Sequence, residues 1–131
     1  MSEMTENRKQ DFERLKAVTE VAWAAASQGL RRQAALERAA SAKLQDLAQA
    51  RRRSLDGLVA ADQSDTAMIS AASGWMIWAE RERERLNMEL ARARAALAGE
   101  QAKARKAFSK REAAKKLQEI DKERRRRRLA E

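Results

Sequence analysis

The sequence predicts an all-α protein whose two long helices form an antiparallel coiled-coil hairpin. Three observations predict it. Residues 86–128 carry a sustained narrow apolar seam, the first half carries a second stripe at helical spacing, and the turn signals gather between them. The composition agrees: there is no proline, only four glycines stand among 131 residues, and charged residues make up 37%. Alanine, leucine, glutamate, lysine, arginine and glutamine dominate, and all of them favour the helix. The apolar fraction of 44% leans on alanine, and a buried methylene contributes only ~0.8 kcal/mol. The expected core is therefore thin.

Residues 1–11 are polar, with Ser2 or Thr5 as candidate caps for the first helix. From Phe12 a stripe runs through Leu15, Val18, Ala22, Ala26, Leu30, Ala40, Leu44, Leu47, Leu55 and Leu58, with a slip in the heptad near Gly29. Glycine costs about 1 kcal/mol relative to alanine inside a helix, so Gly29 is either a tolerated flaw or a place of bending or close contact. Arg51, Arg52 and Arg53 read as a solvated basic face.

Gly57 is a candidate helix stop, Asp62-Gln63-Ser64-Asp65-Thr66 the most turn-like segment, and Ser73-Gly74 a second point of punctuation. Asp62, Ser64, Asp65 or Ser73 would cap the returning helix. The boundaries expected are a first arm over about 5–57, a reversal over about 58–74 and a second arm over about 75–128, making one elongated hairpin with arms ~75 Å long. If the chain folds back near residue 66, residues whose numbers add to about 132 face each other. Leu15 then meets Leu117, Leu36 meets Leu97, Leu44 meets Met88, Leu47 meets Leu86 and Leu55 meets Trp78. Trp75 and Trp78 share a helix face. They either staple the tip or offer an aromatic anchor to a partner. Trp23, amid alanines, poses the same choice.

In the second arm Leu86, Leu90, Ala93, Leu97, Ala104, Ala107 and Ala114 alternate steps of four and three, with Glu100 and Arg111 at the missing steps. This is a coiled-coil seam sustained for about four heptads. Phe108, Leu117 and Ile120 shift the stripe by about a residue, which would alter the supercoil. Arg124 to Arg128 suit a helix C-terminus electrostatically but repel one another, so a frayed tip is expected.

The net charge is +9, and residues 101–131 hold 13 Lys or Arg against 5 Asp or Glu. With neither histidine nor cysteine, the chain lacks the usual transition-metal ligands, thiol nucleophiles and imidazole base. Carboxylates have a basic residue one helical turn away, as in Glu80-Arg83 and Glu112-Lys116, and no glycine-rich phosphate loop is present. The chain reads as a binder with no catalytic residue, metal, cofactor or small-molecule substrate. Its longest apolar run, Val21 to Ala26, falls far short of the ~20 residues of a membrane span. The amino terminus is too polar for a signal peptide. A cytoplasmic, soluble protein is expected. The basic end suits a nucleic acid poorly, having Phe108 as its one aromatic and no asparagine. Its apolar face is too small for a membrane surface, whereas an acidic protein partner would fit it.

An imperfect first helix precedes an irregular middle and the aromatic entry Trp75-Met76-Ile77-Trp78-Ala79-Glu80. The run Leu86-Leu90-Ala93-Leu97 follows, then Phe108-Ser109-Lys110-Arg111-Glu112 with Lys116-Leu117 and a charged end. Over most of its length the chain resembles the FliJ family of flagellar export proteins and the similar YscO-type stalks of type III secretion systems. That resemblance implies a two-helix stalk that docks in the hexameric export ATPase ring and promotes its assembly and activity. It implies contacts with the export gate membrane protein and with export chaperones, at the cytoplasmic face of the inner membrane and only peripherally. The terminal arms, around Phe12 to Val18 and Phe108 to Arg128, would enter the ring. Candidate partner-binding residues are Phe108, Lys110, Arg111, Lys115, Lys116, Leu117, Arg124 and Arg125, with Trp75 and Trp78. The alternative is a coiled-coil scaffold whose basic C-terminal end binds nucleic acid or another polyanion.

Overall fold

A computed structural model describes residues 2–60 and 66–131, and among these every residue but Glu131 is helical. Helix α1 runs Ser2–Ala60 and α2 runs Thr66–Ala130. The fold is all-α, two long helices paired antiparallel. The turn-like residues 62–65 and their candidate caps lie outside the described residues.

Helix formation reaches further than the punctuation suggests. Gly57 lies inside α1, and Ser73 and Gly74 lie inside α2, so the reversal does not occupy 58–74. No glycine has a positive φ, and the ~1 kcal/mol cost of one glycine is spread over a very long helix. Thr5 likewise sits inside α1. The arginine run does not fray: α2 continues through it, with Asp121–Arg125 at 3.2 Å and Glu123–Arg127 at 3.6 Å bracing the last turns. Arg127 and Arg128 fall in the last turn, where the helix dipole favours cations.

The chain divides into two compact units. The terminal unit pairs Met1–Arg32 with Ala98–Glu131, and the middle unit is Gln33–Leu97. In each, covered residues recur at steps of three and four on both helices, as the a and d positions of a heptad do. In the middle unit the a and d positions include Ala40, Leu44 and Leu47 on α1 and Leu86, Leu90, Ala93 and Leu97 on α2. In the terminal unit they are Thr19, Trp23, Ala26 and Leu30 against Glu100, Ala104, Ala107, Arg111, Ala114, Gln118, Asp121 and Arg125. The second-arm seam is thus the one the sequence predicts, continued without a break to Arg125.

Three expectations are corrected. The apolar stripe does not shift at the end of α2: Phe108, Leu117 and Ile120 stay largely exposed, while Gln118, Asp121 and Arg125 hold the seam. The first-arm heptad does not slip near Gly29, and Leu15, Val18, Ala22 and Leu55 lie off the seam. Thr19 takes a buried d position because its hydroxyl donates back to the carbonyls of Leu15 at 2.9 Å and Lys16 at 3.0 Å, so no polar group is orphaned.

The third concerns register. Paired numbers add to 131 for Trp23–Phe108, Glu20–Arg111 and Glu37–Arg94, and to 132 for Lys43–Glu89. The first three pairs join a seam residue to one on the flank and the fourth joins two flank residues, so the seam layers themselves add to about 130. Leu44 is level with Leu86 and Ala40 with Leu90. Leu36, Met88, Leu55 and Trp78 are exposed rather than interlocked, since each stands off the a and d positions.

Candidate functional site

In the terminal unit α2 runs from alanine layers into charged ones, and α1 answers with Trp23. The indole of Trp23 lies 5.4 Å from the Phe108 ring with planes inclined by 60°, the tilted arrangement that aromatic pairs favour. The guanidinium carbon of Arg111 stands 6.0 Å from the centre of the Trp23 ring, at the outer limit of a cation–π contact. Arg111 Nε donates to Glu20 Oε1 at 2.9 Å, and its Nη1 lies 3.6 Å from Glu112. An open groove of about 490 Å³ beside this cluster is lined by Trp23, Leu30, Gln101, Ala104, Arg105, Phe108 and Ser109.

Of the residues the sequence singles out, Phe108 and Arg111 are brought together, and both are engaged within the unit. Lys115 is 3.8 Å from Glu112. Arg125 is half-buried on the seam beside Asp121, which is only 6% exposed. Lys110, Lys116 and Arg124 are exposed, and Leu117 is largely so. Trp75 and Trp78 belong to the middle unit, where their rings lie 6.2 Å apart at 45°. The middle unit has its own open groove of about 590 Å³, lined by leucines 44, 47 and 55 with Arg51, Arg52, Ala79, Glu80 and Arg83 among others.

The two flanks of the terminal unit differ. With the seam lettered so that Trp23 and Arg111 are a positions, one flank carries the e positions and the other the g positions of both helices. Glu20 and Phe108 are e residues, in contact with Arg111 and Trp23 on the flank that also carries the open groove. Leu15 and Leu117 are g residues level with each other on the opposite flank, and Val18 and Ile120 follow each by three residues. Leu15, Val18 and Ala22 therefore form a real stripe, but one turned outward. The signal that could have found it is the continuous spacing of Phe12, Thr19, Trp23 and Ala26, which leaves no room for Leu15 on the same seam.

Charge is concentrated in this unit: 19 Lys or Arg stand against 11 Asp or Glu, while Gln33–Leu97 holds 10 against 9. Among the described residues, no cluster of three or more acidic side chains is arranged to hold a metal ion. No helix among them is long and apolar enough to cross a membrane. The chain matches no family model, no curated protein and no solved structure.

Proposed function

We propose that the protein is a non-catalytic stalk of a flagellar or type III protein export apparatus. In this reading it docks in the hexameric export ATPase ring, promotes the ring's assembly and activity, and meets the export gate membrane protein and export chaperones. It works in the cytoplasm, held peripherally at the cytoplasmic face of the inner membrane. The observation that supports it most is the contrast in seam chemistry. The buried seam residues of the middle unit are leucine and alanine, Ala40, Ala79, Leu86 and Leu90, whereas the terminal unit buries Thr19 and Asp121 beside Ala104 and Ala114 and places Glu100, Arg111, Gln118 and Arg125 on its seam. Charged seam groups contribute little to stability on their own, so such a helix pair gains from enclosure by a partner. Its positive field would steer it toward an acidic entrance.

The test is ATP hydrolysis by the export ATPase from the same source, with and without this protein, at near-physiological salt. Saturable stimulation is expected. It should be abolished by Leu90→Pro, which breaks α2 at a buried seam position. Stimulation that is absent, or unchanged in the variant, would reject the stalk.

One observation favours the polyanion-binding scaffold as a second reading. Among the described residues, Arg124, Arg126 and Arg128 have no carboxylate within 4.0 Å. That reading predicts binding to nucleic acid that falls steeply with salt and is indifferent to Leu90→Pro.

A further inference from the structure

We propose that the outward g flank of the terminal unit is a docking face for one amphipathic helix of a partner protein, apolar along its centre and acidic along its edges. Four side chains carry it. Leu15 is 40% exposed, Val18 65%, Leu117 44% and Ile120 49%. Leu15 and Leu117 stand level across the helix pair, in the same g-to-g relation as Lys43 and Glu89, whose side chains meet at 3.0 Å in the middle unit. Val18 and Ile120 extend the strip outward, one from each helix. Ala22 and Ala113, at the Val18 end of the strip, are exposed and small, so no bulky side chain stands over the strip there. Apolar side chains gathered in this way mark contact surfaces, whereas single exposed ones do not.

The rim identifies the occupant. Lys106, Lys110 and Arg124 border the strip on α2, all exposed, and among the described residues none has a carboxylate within 4.0 Å. Asp11 is the acidic residue on the α1 side. A second copy of this chain would set this basic rim against another like it, so self-association here is opposed. A helix laid along the strip with leucines at i, i+3, i+4 and i+7 and glutamates flanking them satisfies both the apolar strip and the lysines. The face lies on the arms that the stalk reading sends into the ring, but the inference does not rest on that reading, and a test free of any ring ATPase lets the two fail separately.

The test uses the full chain and a labelled helical peptide of ~20 residues, with leucines at that spacing and glutamate edges, followed by fluorescence anisotropy at near-physiological salt. Saturable binding of one peptide per chain is expected. Val18→Asp with Leu117→Asp should weaken it at least about tenfold, and Lys110→Glu about threefold or more. Arg105→Glu, on the opposite flank, should stay within about twofold. Circular dichroism confirms that each variant keeps its helices, and Val18→Thr with Leu117→Gln repeats the test should the aspartates unfold the chain. The proposal is overturned if the glutamate peptide fails to bind, if a lysine-edged version binds equally well, or if Arg105→Glu weakens binding as much as Lys110→Glu. It also fails if sedimentation shows a dimer lost with Val18→Asp, or if vesicles of anionic lipid bind at this face and the peptide does not compete.

Discussion

Arg111 and Glu20 are joined across the helix pair by a 2.9 Å hydrogen bond that also sets the guanidinium beside the Trp23 ring. Arg111 occupies a seam position where a leucine would be the ordinary choice. Its charge is tolerated because one edge of the group reaches the Glu20 carboxylate at the flank. The pair is partly covered, so its worth lies near the top of the range for surface bridges. A double-mutant cycle on Glu20→Gln and Arg111→Gln, read by thermal unfolding, should return a coupling of about 0.5–1 kcal/mol that shrinks with added salt. A coupling of zero at low salt would mean that the bridge only decorates the seam.

Gly29 is the residue over which Glu100 lies. A β-carbon built on Gly29 would stand 2.6 Å from Glu100 Oε2, so the carboxylate must swing away if alanine is introduced. That carboxylate ends a flexible side chain whose ion-pair partner, the exposed Lys103, holds it at 3.4 Å, so little resists the movement. Gly29→Ala should therefore raise stability by about 0.5–1 kcal/mol through helix propensity. A lowered denaturant midpoint would instead show Glu100 to be fixed in place.

Leucines on and off the seam should differ sharply. Leu90 is buried, and its truncation to alanine should cost about 2–3 kcal/mol, the lower part of the usual range, because a two-helix core can close partly around the void. Val18→Ala, on the outward flank, should change stability by no more than about 0.5 kcal/mol. Urea midpoints of the two variants decide it. Equal losses would place Val18 in the core.

In the middle unit Arg85 donates to both oxygens of Glu82. That hydrogen bonding is the main reason the Glu82 carboxyl sits below its ordinary value and the Arg85 guanidinium above its own. Desolvation opposes the shift at Glu82, while the charges of Arg85 and Lys43 add to it. Because the folded value is depressed, the stabilisation is fully present above the unfolded carboxyl range and is lost as the pH falls through the folded value. A carbon-detected titration should show the Glu82 midpoint rising in Arg85→Gln. A midpoint that stays put would assign the shift to some other neighbour.

The second-arm seam was legible because Leu86, Leu90, Ala93 and Leu97 leave one reading of the heptad. The first arm was not, since its larger aliphatics, Leu15 and Val18, are on the flank, and the seam passes to Thr19 and Trp23. Hydrophobicity alone ranks a threonine below a valine. It is the return of the Thr19 hydroxyl to its own backbone that makes burial cheap. At the end of α2 the same criterion favoured Phe108, Leu117 and Ile120 over Gln118, Asp121 and Arg125. Keeping one period along both helices outweighed it, because a shift would misalign every later layer. Of the site residues, Phe108 and Arg111 were legible singly, as candidates for a partner, and not as members of one internal cluster. Their partners Trp23 and Glu20 were not, because the distance in sequence is 91 residues for Arg111 and Glu20.

The seam alanines, Ala26, Ala40, Ala93, Ala104, Ala107 and Ala114, offer little shape to oppose axial sliding, since an alanine packs about equally well after a displacement of seven residues. Among the described residues, the bridges Glu20–Arg111, Glu37–Arg94 and Lys43–Glu89 between the helices act as detents against it. Displacement one way would bring Glu37 level with Glu100, like charge against like. Displacement the other way would bring Glu100 level with Trp23 and Arg111 level with Phe12, burying charges against rings without their partners. The polar steps that weaken the zipper thus make its alignment single-valued, a role attested for buried polar groups in helix pairs.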